Sequence, residues 1–161
     1  MRREEMNDNG ARGGHPRSTA KIGTHPIHPM LVPFPIVCFV LTFVCDILYT
    51  QGHTELATPS IWLLCIGLLM GALAAVAGLT DYLGDERLRG LADALKHMLA
   101  NVTVVVLEIV NLFLRVKDST SIGSTGVYIS LVVILLLLYS GWKGGDLVYR
   151  HGVGVHDTSN F

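Results

Sequence analysis

Four long apolar runs are spaced along the chain, at residues 30–49, 61–83, 95–114 and 126–147. Each is close to the roughly 20 residues that a helix needs to cross the hydrocarbon core of a bilayer. Lipid offers backbone N–H and C=O groups no water, so each run is expected to satisfy its hydrogen bonds internally as a helix. That holds even for the β-branched stretch 102–106, which would favour a strand in a soluble protein. Short linkers make consecutive helices antiparallel neighbours. Residues 1–24 are polar, hold Gly10, Gly13 and Gly14, and show no apolar period. Such a segment cannot offset its ordering entropy and is expected to be a disordered arm. The pattern therefore predicts an all-α fold. It is an integral-membrane four-helix bundle over residues 25–155 with short loops, the arm before it and a tail at 156–161.

Polar positions inside the runs sharpen this picture. In the second run Gly67, Gly71, Ala74 and Gly78 recur at three- and four-residue spacing, and Asp81 continues the same face. Small residues on one face let a neighbouring backbone approach closely. In the third run His97, Asn101, Glu108 and Asn111 fall within an arc of roughly 80° at about 100° per residue. This stripe is expected to face the bundle interior, because an ionisable group in lipid needs a partner or a role. Asp46, near the end of the first run, is expected to cap a helix or pair with a polar group. Ahead of the first run, residues 25–35 hold Pro26, Pro29, Pro33 and Pro35. Prolines at this density favour an extended segment that tucks into the bundle and fixes His28.

Composition agrees with a membrane protein. Only 16% of residues are charged, against about 25% in soluble domains, and the mean hydropathy is +0.48. A formal net charge of -1 suggests no nucleic-acid partner. Cys38, Cys45 and Cys65 are odd in number and lie in apolar runs, so no disulfide framework is expected. The polar start lacks the apolar core of a cleavable signal peptide. Charge also orients the chain. Arg2, Arg3, Arg12, Arg17, Lys21, Arg87, Arg89, Lys96, Lys143 and Arg150 fall on the side of the termini, ten in all, against Arg115 and Lys117 opposite. Lys and Arg accumulate on the cytoplasmic side, which places both termini in the cytoplasm.

Under that topology His25, His28, His97 and His151 all come to one membrane face, together with Asp81 and Asp146. Imidazole and carboxylate are ligands for transition metals, and imidazole holds haem iron. The candidate ligands are thus His28, His97, His151 and His25, for haem b or a transition metal. Asp81, Asn101, Glu108 and Asp146 are candidates for a supporting shell or a proton relay. No HExxH, CxxC or zinc-type spacing is present, and no nucleophile–base pair or two-metal motif can be read, so a stand-alone enzyme is not expected.

Several of these residues carry a family resemblance. They are His25, Pro26, His28, Pro29, Pro33 and Pro35; Gly78, Asp81 and Tyr82; His97 and Asn101; and Gly144, Gly145, Asp146, Arg150, His151, Gly152 and Gly154. Through them the chain resembles the bacterial membrane-protein family catalogued as domain of unknown function 2231, over about residues 23–155. The resemblance implies a four-helix module of the bacterial inner membrane. Some relatives carry a Rieske-type iron–sulfur domain, which implies a redox setting and a Rieske-type or other redox protein as partner. This chain lacks the Cys-x-His pairs of a Rieske centre. Three functions follow as expectations. One is a haem- or metal-binding redox subunit with His28 and His97 as the preferred pair. The second is a proton-linked channel or transporter subunit that uses the His97, Asn101, Glu108 stripe, and four helices per chain would then call for a homo-oligomer. The third is a structural or assembly subunit of a larger membrane complex.

Overall fold

A computed structural model describes residue 16 and residues 18–155. Residues 1–15, residue 17 and the tail 156–161 lie outside the described residues, and with them most of the expected arm, His15 and His156. The last part of that arm is described. Strands β1 (Lys21–Ile22) and β2 (His25–Pro26) pair antiparallel, so the chain reaches the first span through a small hairpin.

Four helices among the described residues are long and apolar enough to cross a bilayer. The first span comprises α1 (Ile27–Leu31) and α2 (Pro33–Thr50). Then follow α3 (Ala57–Gly84), the short α4 (Glu86–Arg89), α5 (Ala92–Lys117) and α6 (Thr125–Tyr149). The bundle is an up-and-down ring: α2 packs on α3 and α5 on α6, while α2–α6 and α3–α5 contacts close it. Single turns of 3-10 helix, Thr54–Leu56 and Ser119–Gly123, fill the two loops at the end remote from the termini.

The proline-rich segment differs from its expected extended form. Only Pro26 is extended, with ψ 131 as the N-cap of α1, while Pro29, Pro33 and Pro35 all lie in helix. Each falls within a first turn, where backbone N–H groups have no helical acceptor, so a missing donor costs nothing there. The expected inward tuck is limited: Pro35 is buried, but α1 has no buried residue and Pro29 and Pro33 are exposed. At the opposite terminus α6 ends in a Schellman turn, with Val153 N–H donating to Leu147 O and Gly152 N–H to Val148 O. Gly152 adopts φ 64, which its missing Cβ permits.

The distribution of polarity is the reverse of that in a soluble bundle. Trp62, Leu69, Phe113 and Leu138 are all more than 60% exposed, whereas Asp46, Ser60, Glu108, Asn111, Arg115 and Ser130 are buried. A continuous apolar exterior of this kind requires lipid around it. The chain is a multi-pass membrane protein whose outer surface contacts the bilayer. Inside, Phe39, Leu64, Val104 and Val133 form one buried apolar layer. Polar clusters occupy the interior on either side of it. Close approach matters within the layer: a Cβ on Gly67 would sit 2.6 Å from Phe39 Cε1, so α2 and α3 meet there because position 67 has no side chain.

Candidate functional site

The cluster nearer the termini is built around two imidazoles. His28 is on α1 and His97 is in the second turn of α5. Their ring centroids are 6.1 Å apart and the ring planes are nearly perpendicular, at 86°. His28 Nδ1 lies 2.8 Å from Ala74 O on α3. His97 Nδ1 lies 2.9 Å from Ser140 O on α6. A carbonyl oxygen only accepts, so both rings carry a proton on Nδ1, and the lone pair of a neutral ring would be on Nε2. Asn101 Nδ2 donates to Ser140 Oγ at 2.6 Å and to His97 O at 2.8 Å. Its contact with His97 Nε2, at 3.2 Å, is the longest of the three. Two amide N–H groups cannot serve three acceptors well, so Nε2 is the least committed.

Each imidazole also rests against a glycine. A Cβ on Gly78 would lie 2.9 Å from His28 Nδ1, and one on Gly144 would lie 3.2 Å from His97 Cε1. Gly78 belongs to the small-residue face of α3, so part of that stripe seats a ring instead of a helix backbone.

The other candidates at this end have separate tasks. His25 is exposed in β2. His151 Nε2 lies 3.3 Å from Asp93 Oδ2, and Lys143 bridges Asp93 and Asp146 at 3.0 Å each, which ties α5 to α6. Among the described residues, no group of three or more His, Cys, Asp or Glu converges to hold a metal ion. Asp81 holds the N-terminal segment: its Oδ1 accepts from Ser18 Oγ at 2.9 Å and from the N–H groups of Thr19 and Ala20 at 2.7 Å each. Asp81→Ala strips both amides of their acceptor, at about 0.5–1.5 kcal/mol for each part-buried bond. Hydrogen exchange at Thr19 and Ala20 should quicken by roughly 10- to 100-fold, while α5 amides stay protected. Equal acceleration in both places would show a general loosening instead.

Beyond the apolar layer lies a second network, at the far end of the bundle. Arg115 on α5 donates from Nη1 and Nη2 to the two carboxylate oxygens of Asp46 on α2, at 2.6 Å each. Its remaining N–H groups reach Ser60 Oγ at 3.1 Å, Ser130 Oγ at 3.0 Å and Asn111 Oδ1 at 2.9 Å. All five guanidinium donors are thereby used. Ser130 donates to Asp46 Oδ2 at 2.7 Å, and Asn111 Nδ2 donates to Ser130 Oγ at 3.0 Å and Glu108 Oε2 at 2.9 Å. The stripe on α5 does face the interior, yet it is not one network. Val104 of the apolar layer lies between Asn101 and Glu108, which are about 10 Å apart along the helix.

Sequence reasoning counted Arg115 as a loop charge, but it is 1% exposed. A signal for it existed: it follows His97 by about five whole turns and so continues the polar stripe. The serines Ser60, Ser130 and Ser140 gave none, because a serine in an apolar run is ordinary helix–helix glue.

A family model described as a predicted membrane protein, domain of unknown function 2231, matches residues 24–157. No curated protein and no solved structure matches the chain.

Proposed function

The chain belongs to the family of predicted membrane proteins defined by domain of unknown function 2231, and on that footing we propose that it is a haem-binding redox subunit in which His28 and His97 would hold the haem. The observation that carries this reading is the pair of Nδ1–H donors to backbone carbonyls, Ala74 O for His28 and Ser140 O for His97. Such a bond fixes the ring orientation and tautomer, raises the basicity of Nε2, and is the usual support of a metal-bound histidine. The number of ligands then selects the partner. A closed site for a bare metal ion needs about four protein donors, and among the described residues only two imidazoles meet. Haem iron takes at most two axial side chains, since its macrocycle supplies the other donors. Bound haem would give the bundle one-electron chemistry. The chain's own residues hold and orient the two rings.

The apolar layer of Phe39, Leu64, Val104 and Val133 argues against a proton relay through His97, Asn101 and Glu108, because Val104 of that layer lies between the last two. The basic residues support a cytoplasmic placement of the site. With Arg115 paired inside the bundle, Lys117 is left as the far side's basic residue against ten on the side of the termini. That fits a bacterial inner membrane with both termini in the cytoplasm, and a Rieske-type or other redox protein as electron partner.

The test is an absorption spectrum of the detergent-purified protein, oxidised and reduced, with haem and metal quantified on the same sample from haem-replete cells. A Soret band that shifts on reduction is expected, lost in His28→Ala and in His97→Ala and kept in His25→Ala and His151→Ala. Protein without haem, or a band indifferent to His28 and His97, overturns the reading.

A further inference from the structure

Glu108 stands apart from the network that surrounds it. It is completely buried, its Oε2 accepts one amide N–H from Asn111, and its Oε1 has no hydrogen-bond partner. The neighbouring guanidinium does not help, because its five donors are spent on Asp46, Ser60, Ser130 and Asn111. The charged groups that face Glu108 are Asp46 from α2 and Arg115 from its own helix, while α3 and α6 contribute the hydroxyls of Ser60 and Ser130. The bidentate Asp46–Arg115 pair is neutral as a unit. Glu108 therefore decides the charge of the whole cluster. With a proton the cluster is neutral, and without one it holds a net negative charge among apolar helices, with no second cation beside it among the described residues.

Polar atoms are spaced between this carboxyl and the far loop. The other buried side-chain polar atom without a partner among the described residues is Ser121 Oγ, in the 3-10 turn that covers this end of the bundle. Between the two sits Gly126: the point its Cβ would occupy is 2.9 Å from Ser121 O and 3.2 Å from Asn111 Oδ1. The missing side chain leaves loop and amide close together, and Asn111 in turn touches Glu108. In the other direction, the apolar layer separates Glu108 from the histidines.

We propose that Glu108 is a proton-binding site of the membrane domain, loaded from the end remote from the termini and independent of the histidine pair. The step is a carboxylate and a hydronium ion giving a carboxylic acid and water, with no electron moved. Asp46 serves it by occupying Arg115, which keeps the guanidinium from neutralising Glu108 in its place. Asn111 holds one carboxyl oxygen so that the other takes the proton.

The experiment is infrared difference spectroscopy of the full chain in lipid vesicles, titrated across about pH 4 to 10, a span that covers carboxyl groups in ordinary and apolar surroundings. A C=O stretch of a protonated carboxyl is expected at the low end, falling to zero at the high end, shifted by isotope-labelled glutamate and missing from Glu108→Gln. Because Gln keeps the acceptor for Asn111, the variant should fold. Asp46→Asn supplies a second arm: it releases the guanidinium toward Glu108, and the band should disappear at every pH while Glu108 remains in the chain. A band that survives in Glu108→Gln, no band at any pH, or a band in Asp46→Asn equal to the parent's overturns the proposal. Unchanged haem content in Glu108→Gln is expected as well, so this test stands whether or not the histidine pair binds haem.

Discussion

Arg115→Met will cost the folded bundle about 3–5 kcal/mol, the range for removing one partner of a buried ion pair. Unfolding in mixed detergent, or steric trapping in bicelles, reads it directly. The reason is what stays behind. Both side chains of the Asp46–Arg115 pair are completely buried, and Asp46, Ser60, Ser130 and Asn111 all direct oxygens at the guanidinium. Met fills a similar volume but leaves Asp46 as an uncompensated anion. The double variant Asp46→Leu with Arg115→Met should regain most of the loss, because deleting both charges removes the desolvation cost along with the attraction. An exposed pair would behave differently, with about 0–1 kcal/mol for either single change and nothing to rescue. A small effect of Arg115→Met would therefore mean that lipid headgroups or water reach the pair.

Gly78→Ala is expected to evict His28. The new methyl would lie 2.9 Å from Nδ1 and 3.0 Å from Cε1 of the ring, inside the contact distance of real side chains, and the carbonyl that fixes the ring belongs to the same helix one turn earlier. The ring must leave Ala74 O for the methyl to fit. Gly144→Ala is gentler, since its methyl would stand 3.2 Å from His97 Cε1 and a shift of a few tenths of an ångström accommodates it. The ¹⁵N signals of labelled histidine separate the two. In Gly78→Ala, His28 should lose its fixed Nδ1–H tautomer, and under the proposed haem role binding should weaken at least tenfold, which is about 1.4 kcal/mol. In Gly144→Ala the His97 signal should move but keep its tautomer. Equal, mild effects at both positions would show that the glycines serve helix packing alone.

Part of the candidate site was legible in the chain. His28 and His97 stand out because imidazole beside apolar runs is rare and costly, and the structure brings these two together. The period of the third run already turned His97, Asn101, Glu108 and Asn111 inward, and their burial follows it. What could not be read was the division of labour. Asp81 looked like a partner for the histidines but holds Ser18, Thr19 and Ala20 instead. His151 and Asp146 share the membrane face of the pair, yet are tied into contacts with Asp93, Lys143 and Arg150. Linear position gives the level of a residue along the bundle axis, and contact also needs its azimuth and a neighbour's rotation.

By itself the sequence determined the membrane setting, the number of spans, their antiparallel order and the inward face of the third helix. All of these follow from one-dimensional quantities: length against bilayer thickness, hydropathy, loop length and helical period. Only the tertiary structure decided that the polar stripe is cut in two by Phe39, Leu64, Val104 and Val133, and that Arg115 turns inward to Asp46 from another helix. It also decided that Gly78 and Gly144 are seats for imidazoles. Those outcomes depend on which side chains from different helices reach the same depth and face each other. In lipid every polar group seeks a partner, several partners lie at each depth, and the relative rotation of four helices selects among them.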